Sequence, residues 1–78
     1  MSVLESKAMY DLKWTYNYNL KRYYNGCAYC SEHKKEIKKW LSELLSILEN
    51  IEILLEEISK YEEVSEKEIL EGFEIETD

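Results

Sequence analysis

Two cysteines and the only histidine of this 78-residue chain lie within seven residues of one another. Cys27, Cys30 and His33 offer two thiolates and an imidazole, which are ligands that zinc prefers in proteins. A tetrahedral site needs a fourth ligand, which Glu32, a water molecule or a second chain would supply. The same thiols are also candidates for redox chemistry, or for small buried side chains in a turn. The sequence leaves these three alternatives open.

Six cations surround the two cysteines along the chain, namely Lys21, Arg22, Lys34, Lys35, Lys38 and Lys39. Cations at the start of a helix oppose its dipole, so a thiolate, a zinc–thiolate centre or a bound phosphate would relieve the conflict. Residues 21–40 resemble the zinc hook of DNA-repair ATPases, in which C-x-x-C lies at the tip of an antiparallel coiled coil. The resemblance implies two chains that meet tip to tip and hold one ion with four cysteines. It departs from the hook at Ala28 and Ser31, where the hook usually has Pro and Gly, and it implies no ATPase function.

Residue types that would support catalysis are scarce in this chain. The sequence shows no set of nucleophile, base and orienting group, and no glycine-rich phosphate loop. We therefore expect a binding protein rather than an enzyme. No cofactor is predicted apart from the candidate zinc ion. Because the sequence has neither a secretion signal nor an apolar run long enough to span a membrane, we expect a cytoplasmic protein with reduced thiols.

The second half of the chain carries a long apolar seam with alternating spacings of four and three: Ile37, Leu41, Leu44, Leu48, Ile51, Leu55 and Ile58. This a/d spacing is typical of a coiled-coil helix that packs against another helix. A second apolar row follows beside it at seven-residue spacing: Trp40, Ile47, Leu54 and Tyr61. The two rows together make a face wider than one neighbouring helix requires.

We expect one side of this face to pack on the first helix and the remainder to mediate self-association. The predicted oligomer interface is Trp40, Leu41, Leu44, Ile47, Leu48, Ile51, Leu54, Leu55 and Ile58. Leucine at a with isoleucine at d favours four helices, which indicates a homodimer of hairpins or a tetramer. The alternative is that the whole face is ordinary core.

The predicted fold is all-α, with one antiparallel helical hairpin and a short third helix in a single domain. Asn25-Gly26 indicates a helix stop, and Ser31 is a candidate cap for the next helix. Capping-box spacing at Ser2/Glu5 and Ser65/Glu68 indicates two further helix starts. The predicted elements are helices at about 3–24, 31–61 and 66–73, a cysteine-containing turn at 25–30 and an acidic tail at 74–78. Alternation of apolar and polar residues leaves a strand as the alternative over residues 14–24.

The first helix has two apolar faces, which indicates two neighbours. Met9, Leu12, Tyr16, Leu20 and Tyr23 are spaced to pack on the second helix. Tyr10, Trp14 and Tyr18 follow each other every four residues along a different face. Because Tyr and Trp dominate protein interfaces, we expect this second face to bind a partner protein.

The charge of −7 is unevenly distributed along the chain. Residues 1–42 carry eight Lys or Arg against four acids, whereas residues 43–78 carry two Lys against thirteen acids. We expect exposed acids to contribute to partner binding, in particular Glu49, Glu52, Glu56 and Glu63. An acidic imitation of nucleic acid is an alternative, while the low pI argues against direct nucleic-acid binding.

These patterns predict a small acidic regulator or inhibitor without enzymatic activity, of the type that phages or mobile elements encode. It is expected to act on a host protein as a homo-oligomeric helical bundle. The alternatives are a zinc- or redox-responsive regulator that uses Cys27, Cys30 and His33, and an acidic mimic that blocks a nucleic-acid-binding protein. The sequence does not identify the partner.

Overall fold

Helices account for all regular secondary structure in the computed structural model, which describes residues 3–75. The elements are α1 (Val3–Glu32), a 3-10 turn (Lys34–Glu36), α2 (Ile37–Ser59) and α3 (Glu66–Glu71). The all-α prediction is confirmed. The alternative of a strand over residues 14–24 is wrong, because that whole segment lies inside α1. Ser2 of the first capping box and residues 76–78 of the acidic tail lie outside the described residues.

The first helix continues through Asn25-Gly26, so the predicted helix end at 24 and the turn at 25–30 are wrong. Gly26 has a different role, since α2 approaches it closely. A Cβ at this position would lie 2.6 Å from Cδ2 of Leu44. A glycine within a helix costs about 1 kcal/mol relative to alanine. Packing of the extended α1 against α2 outweighs this local preference.

The second helix begins later than the Ser31 cap predicts and ends at Ser59 rather than at 61. His33 leaves the helical region with φ −124° and ψ 67°, and this break separates α1 from the 3-10 turn. Its N–H still donates to the carbonyl of Tyr29 at 2.9 Å, and its own carbonyl accepts from the N–H of Glu36 at 2.8 Å. The helical backbone is therefore interrupted at His33 without loss of these hydrogen bonds.

The third helix begins with the capping box that the spacing of Ser65 and Glu68 predicts. The Ser65 hydroxyl accepts from the N–H of Glu68 at 3.2 Å, and the Glu68 carboxylate accepts from the N–H of Ser65 at 3.0 Å. The helix ends at Glu71 rather than at 73, because Gly72 adopts φ 95°, which favours glycine. Phe73 then lies outside the helix and turns into the core.

The core lies between α1 and α2 and is closed by the C-terminal segment. Its buried members are Tyr16, Leu20, Ile47, Ile51, Ile58 and Phe73. The first helix supplies the face that its spacing predicts, since Met9, Leu12 and Tyr23 pack beside Tyr16 and Leu20 as half-buried residues. Contacts between α1 and the later chain pair residues in reverse order: Lys13 with Glu62, Arg22 with Glu43 and Tyr29 with Glu36.

Asn17 joins the C-terminal segment to α1 through both ends of its side-chain amide. Its Nδ2 donates to the carbonyl of Phe73 at 2.8 Å, and its Oδ1 accepts from the N–H of Phe73 at 2.7 Å. The hydroxyl of Tyr24 adds a third bond, since it donates to the carbonyl of Leu70 at 2.5 Å. These bonds satisfy backbone groups in the last turn of α3 and just after it, and they hold Phe73 in the core.

Replacement of Gly72 by alanine is expected to lower the free energy of unfolding by about 1–3 kcal/mol, because φ 95° with ψ 173° is a region almost restricted to glycine. The added Cβ would also lie 2.7 Å from Oδ1 of Asn17 and disturb the bonds to Phe73. Urea unfolding followed by circular dichroism measures the effect. The matched control is Glu74→Ala at an exposed position, and equal unfolding midpoints for the two variants would contradict the prediction.

Candidate protein-binding surfaces

The structure divides the predicted oligomer interface into buried and accessible residues. Ile47, Ile51 and Ile58 are buried inside the single chain, so they form core with α1 instead of a free surface. Trp40, Leu44, Leu54 and Leu55 are half-buried. Leu41 and Leu48 remain exposed. The apolar face of α2 thus packs against α1 along one edge, and its other edge remains open.

The open edge is an apolar stripe along α2, which we call the Leu45 surface: Ile37, Leu41, Leu45 and Leu48. Spacings of four, four and three place these side chains on one face of a helix. Leu45 is 56% exposed, the largest fraction in the stripe. Leu45 is absent from the predicted oligomer interface because it lies between the a/d positions. Its helical spacing from Leu41 and Leu48 along the sequence was the signal that would have placed it on the same helix face.

A second exposed surface lies on α1 and consists of Tyr10, Trp14 and Tyr18, which we call the Trp14 surface. The rings of Trp14 and Tyr18 stack with centroids 5.8 Å apart and an angle of 6° between their planes. The guanidinium of Arg22 lies 5.7 Å from the centroid of Tyr18. Trp14 is 54% exposed, so the stack presents a broad aromatic area to its surroundings.

A shallow groove of about 360 Å³ lies beside the Trp14 surface, where the C-terminal segment approaches α1. It is lined by Tyr10, Trp14, Asn17, Tyr18, Lys21 and Ile75. The groove combines aromatic rings with one cation and one amide. Such a combination suits an extended or helical segment of another protein that presents apolar and acidic side chains.

The candidate metal ligands occupy α1 and the residue that follows it. Cys27 is half-buried, Cys30 is buried, both thiols are free, and His33 is exposed. Nδ1 of His33 lies 3.1 Å from the carbonyl oxygen of Tyr29, and the two rings stack with centroids 4.2 Å apart. Among residues 3–75, no group of three or more His, Cys, Asp or Glu side chains is placed to hold a metal ion. Both cysteines lie within α1 rather than in the turn at 25–30 that the sequence predicts.

Tyr29 connects α1 to the start of α2 close to these cysteines. Its hydroxyl donates to Oε2 of Glu36 at 2.9 Å, and its ring meets the edge of Trp40 with centroids 5.5 Å apart. The hydroxyl of Tyr29 lowers the pKa of Glu36, because a donated hydrogen bond favours the charged carboxylate. Both aromatic rings line a groove of about 350 Å³ between α1 and α2.

The predicted acidic partner-binding residues are accessible. Glu49, Glu52, Glu56 and Glu63 are all exposed. The ion pairs between described side chains join Lys13 to Glu62, Arg22 to Glu43 and Lys60 to Glu57, and none of them involves these four carboxylates. Their charges therefore remain available to groups outside the described part of the chain.

Comparisons with protein-family models, with curated proteins and with solved structures find no match to this chain. None of the helices in residues 3–75 has the length and apolar character needed to cross a membrane. The exposed surfaces and their charges are therefore the observations from which a function is argued.

Replacement of Tyr29 by phenylalanine is expected to raise the pKa of Glu36 toward its ordinary value. Because the pKa of Glu36 is lowered in the folded protein, the ionised carboxylate stabilises the fold at pH values above the pKa that Glu36 has in the unfolded chain. This stabilisation is lost as the pH falls through the lowered pKa. NMR measures this change when the chemical shift of the Glu36 carboxyl carbon is followed as the pH is lowered. Tyr24→Phe is the control, since that hydroxyl bonds to Leu70; an unchanged Glu36 pKa in Tyr29→Phe would refute the assignment.

Proposed function

We propose that this protein is a small regulator that acts by binding another protein, without catalysis, and that it does so as a homo-oligomer. The observation that supports the proposal is the presence of two exposed apolar surfaces on different helices, the Leu45 surface and the Trp14 surface. Contiguous exposed apolar patches on small proteins mark interaction sites. Two such patches on one small domain suit two different partners.

Self-association is assigned to the Leu45 surface. The reverse order of the pairs Lys13–Glu62 and Arg22–Glu43 supports an antiparallel hairpin as the unit that assembles. Two hairpins that bury their Leu45 surfaces against each other would make a four-helix bundle with α2 at its centre. A chain of this size gains much from such a contact, because small domains bury a limited fraction of their surface alone.

Binding of the regulated protein is assigned to the Trp14 surface. Tryptophan, tyrosine and arginine are the residues that dominate binding energy at protein interfaces, and this surface combines Trp14, Tyr18 and Arg22. The stacking of the two rings reduces the conformational entropy that they lose on binding. A small acidic protein with such a surface suits the role of an inhibitor that binds a host protein. Phages and mobile elements encode inhibitors of this type.

Loss of the aromatic stack is expected to weaken partner binding strongly while the fold persists. The double variant Trp14→Ala/Tyr18→Ala should retain the helical circular dichroism spectrum, because both side chains are exposed. Immobilised protein is used to capture partners from lysates of candidate hosts, and the affinity of a captured protein is then measured by calorimetry. We expect a loss of about thirtyfold or more, the effect of removing interface hot spots.

Tyr61→Ala is the matched control, since this tyrosine is 66% exposed and lies outside both surfaces. It should bind the captured protein as the wild type does. Equal affinity of the wild type and the Trp14→Ala/Tyr18→Ala variant would remove the Trp14 surface from the proposal.

A further inference from the structure

We infer that the Leu45 surface binds a second copy of this chain in antiparallel orientation, with the two Leu45 side chains facing each other across the twofold axis. The inference rests on the proposed self-association and specifies its orientation and register. Charges on one flank of α2 and of the 3-10 turn before it support this orientation.

One flank of the Leu45 surface is basic at its start and acidic at its end. Lys34 in the 3-10 turn and Lys38 in α2 precede Leu45, whereas Glu52 and Glu56 in α2 follow it, and all four side chains are exposed. Lys38 and Glu56 are eighteen residues apart, which is about five helical turns at roughly 3.6 residues per turn, so they lie on the same flank. No ion pair between described side chains involves any of these four residues.

These charges are arranged symmetrically about Leu45. Lys38 and Glu52 each lie seven residues from it, and Lys34 and Glu56 each lie eleven residues from it. In an antiparallel pair centred on Leu45, residues equally distant from the centre face each other, and equivalent flanks meet. Lys38 of one copy then faces Glu52 of the other, and Lys34 in the 3-10 turn approaches Glu56, twice in the dimer.

The apolar residues fit the same register. Leu41 precedes the centre by four residues and Leu48 follows it by three, so Leu41 of one copy packs beside Leu48 of the other. In a parallel pair, by contrast, Lys38 of one copy and Glu52 of the other lie at different heights along the helix axes, so these ion pairs cannot form.

A second copy is the occupant that this surface fits, because a twofold interface must be complementary to itself. A row with cations on one side of a centre and acids at equal distances on the other side meets that condition. The charges select the orientation, while the Leu45 surface supplies the apolar contact.

Charge reversal tests the predicted pairs in the full chain. Lys34→Glu/Lys38→Glu and Glu52→Lys/Glu56→Lys should each weaken self-association by about tenfold at low salt, because each places like charges opposite one another. An equimolar mixture of the two variants should restore the dimer. Sedimentation equilibrium measures these affinities, with Lys67→Glu on α3 as the matched control. Wild-type affinity in both variants would overturn the predicted pairs.

Crosslinking tests the orientation. Leu45→Cys and Leu41→Cys are introduced separately into Cys27→Ala/Cys30→Ala protein, whose fold is checked by circular dichroism, and are treated with a short bismaleimide. Leu45→Cys should crosslink to its own copy. Leu41→Cys should not, because its two copies would be separated by about 12 Å along the helix axes. If the alanine background does not fold, the charge variants with native cysteines decide the matter.

The outcomes separate this inference from the proposed function. A wild-type monomer at tens of micromolar would overturn both the self-association and its orientation. A wild-type dimer in which Leu41→Cys crosslinks as readily as Leu45→Cys would overturn the antiparallel register alone. Partner capture through the Trp14 surface is measured separately, and its outcome is independent of the oligomeric state and of the crosslinking result.

Discussion

Burial of Tyr16 is the constraint on which the rest of this small structure depends. Its side chain is fully buried, its ring meets the edge of Phe73 with centroids 5.1 Å apart, and its hydroxyl donates to the carbonyl of Ile69 at 2.6 Å. A buried hydroxyl without an acceptor costs about 1–3 kcal/mol, so Tyr16 requires the C-terminal segment in this position. Burial also raises the pKa of this hydroxyl, because it disfavours the charged phenolate.

The position of the core determines what remains exposed on each long helix. Tyr16 and Leu20 direct one face of α1 toward Ile47, Ile51 and Ile58, so the Trp14 surface points elsewhere. The same contact uses one edge of the apolar face of α2 and leaves the Leu45 surface open. The two exposed surfaces are therefore consequences of a core that is narrower than the apolar faces of its helices.

Periodicity predicted the helices and their faces well. The face of α1 from Met9 to Tyr23 packs as expected, and the capping box of Ser65 and Glu68 is confirmed. Local signals at Asn25-Gly26 and Ser31 were misleading, because packing between helices outweighs a preference of about 1 kcal/mol. The bonds between Asn17 and Phe73 had no signal at all, since an asparagine on a helix is ordinarily a solvated residue.

The sequence by itself determined that this protein is helical, which residues can share a helix face, and how charge is distributed along the chain. These properties depend on residue type and on spacings of three and four, which are local. Only the tertiary structure decided that the cysteines lie within α1 and that Leu45 belongs to an open surface. Both outcomes depend on which side chains of α1 and α2 pack with Phe73 in one small core. These packing contacts join residues that are far apart in the chain.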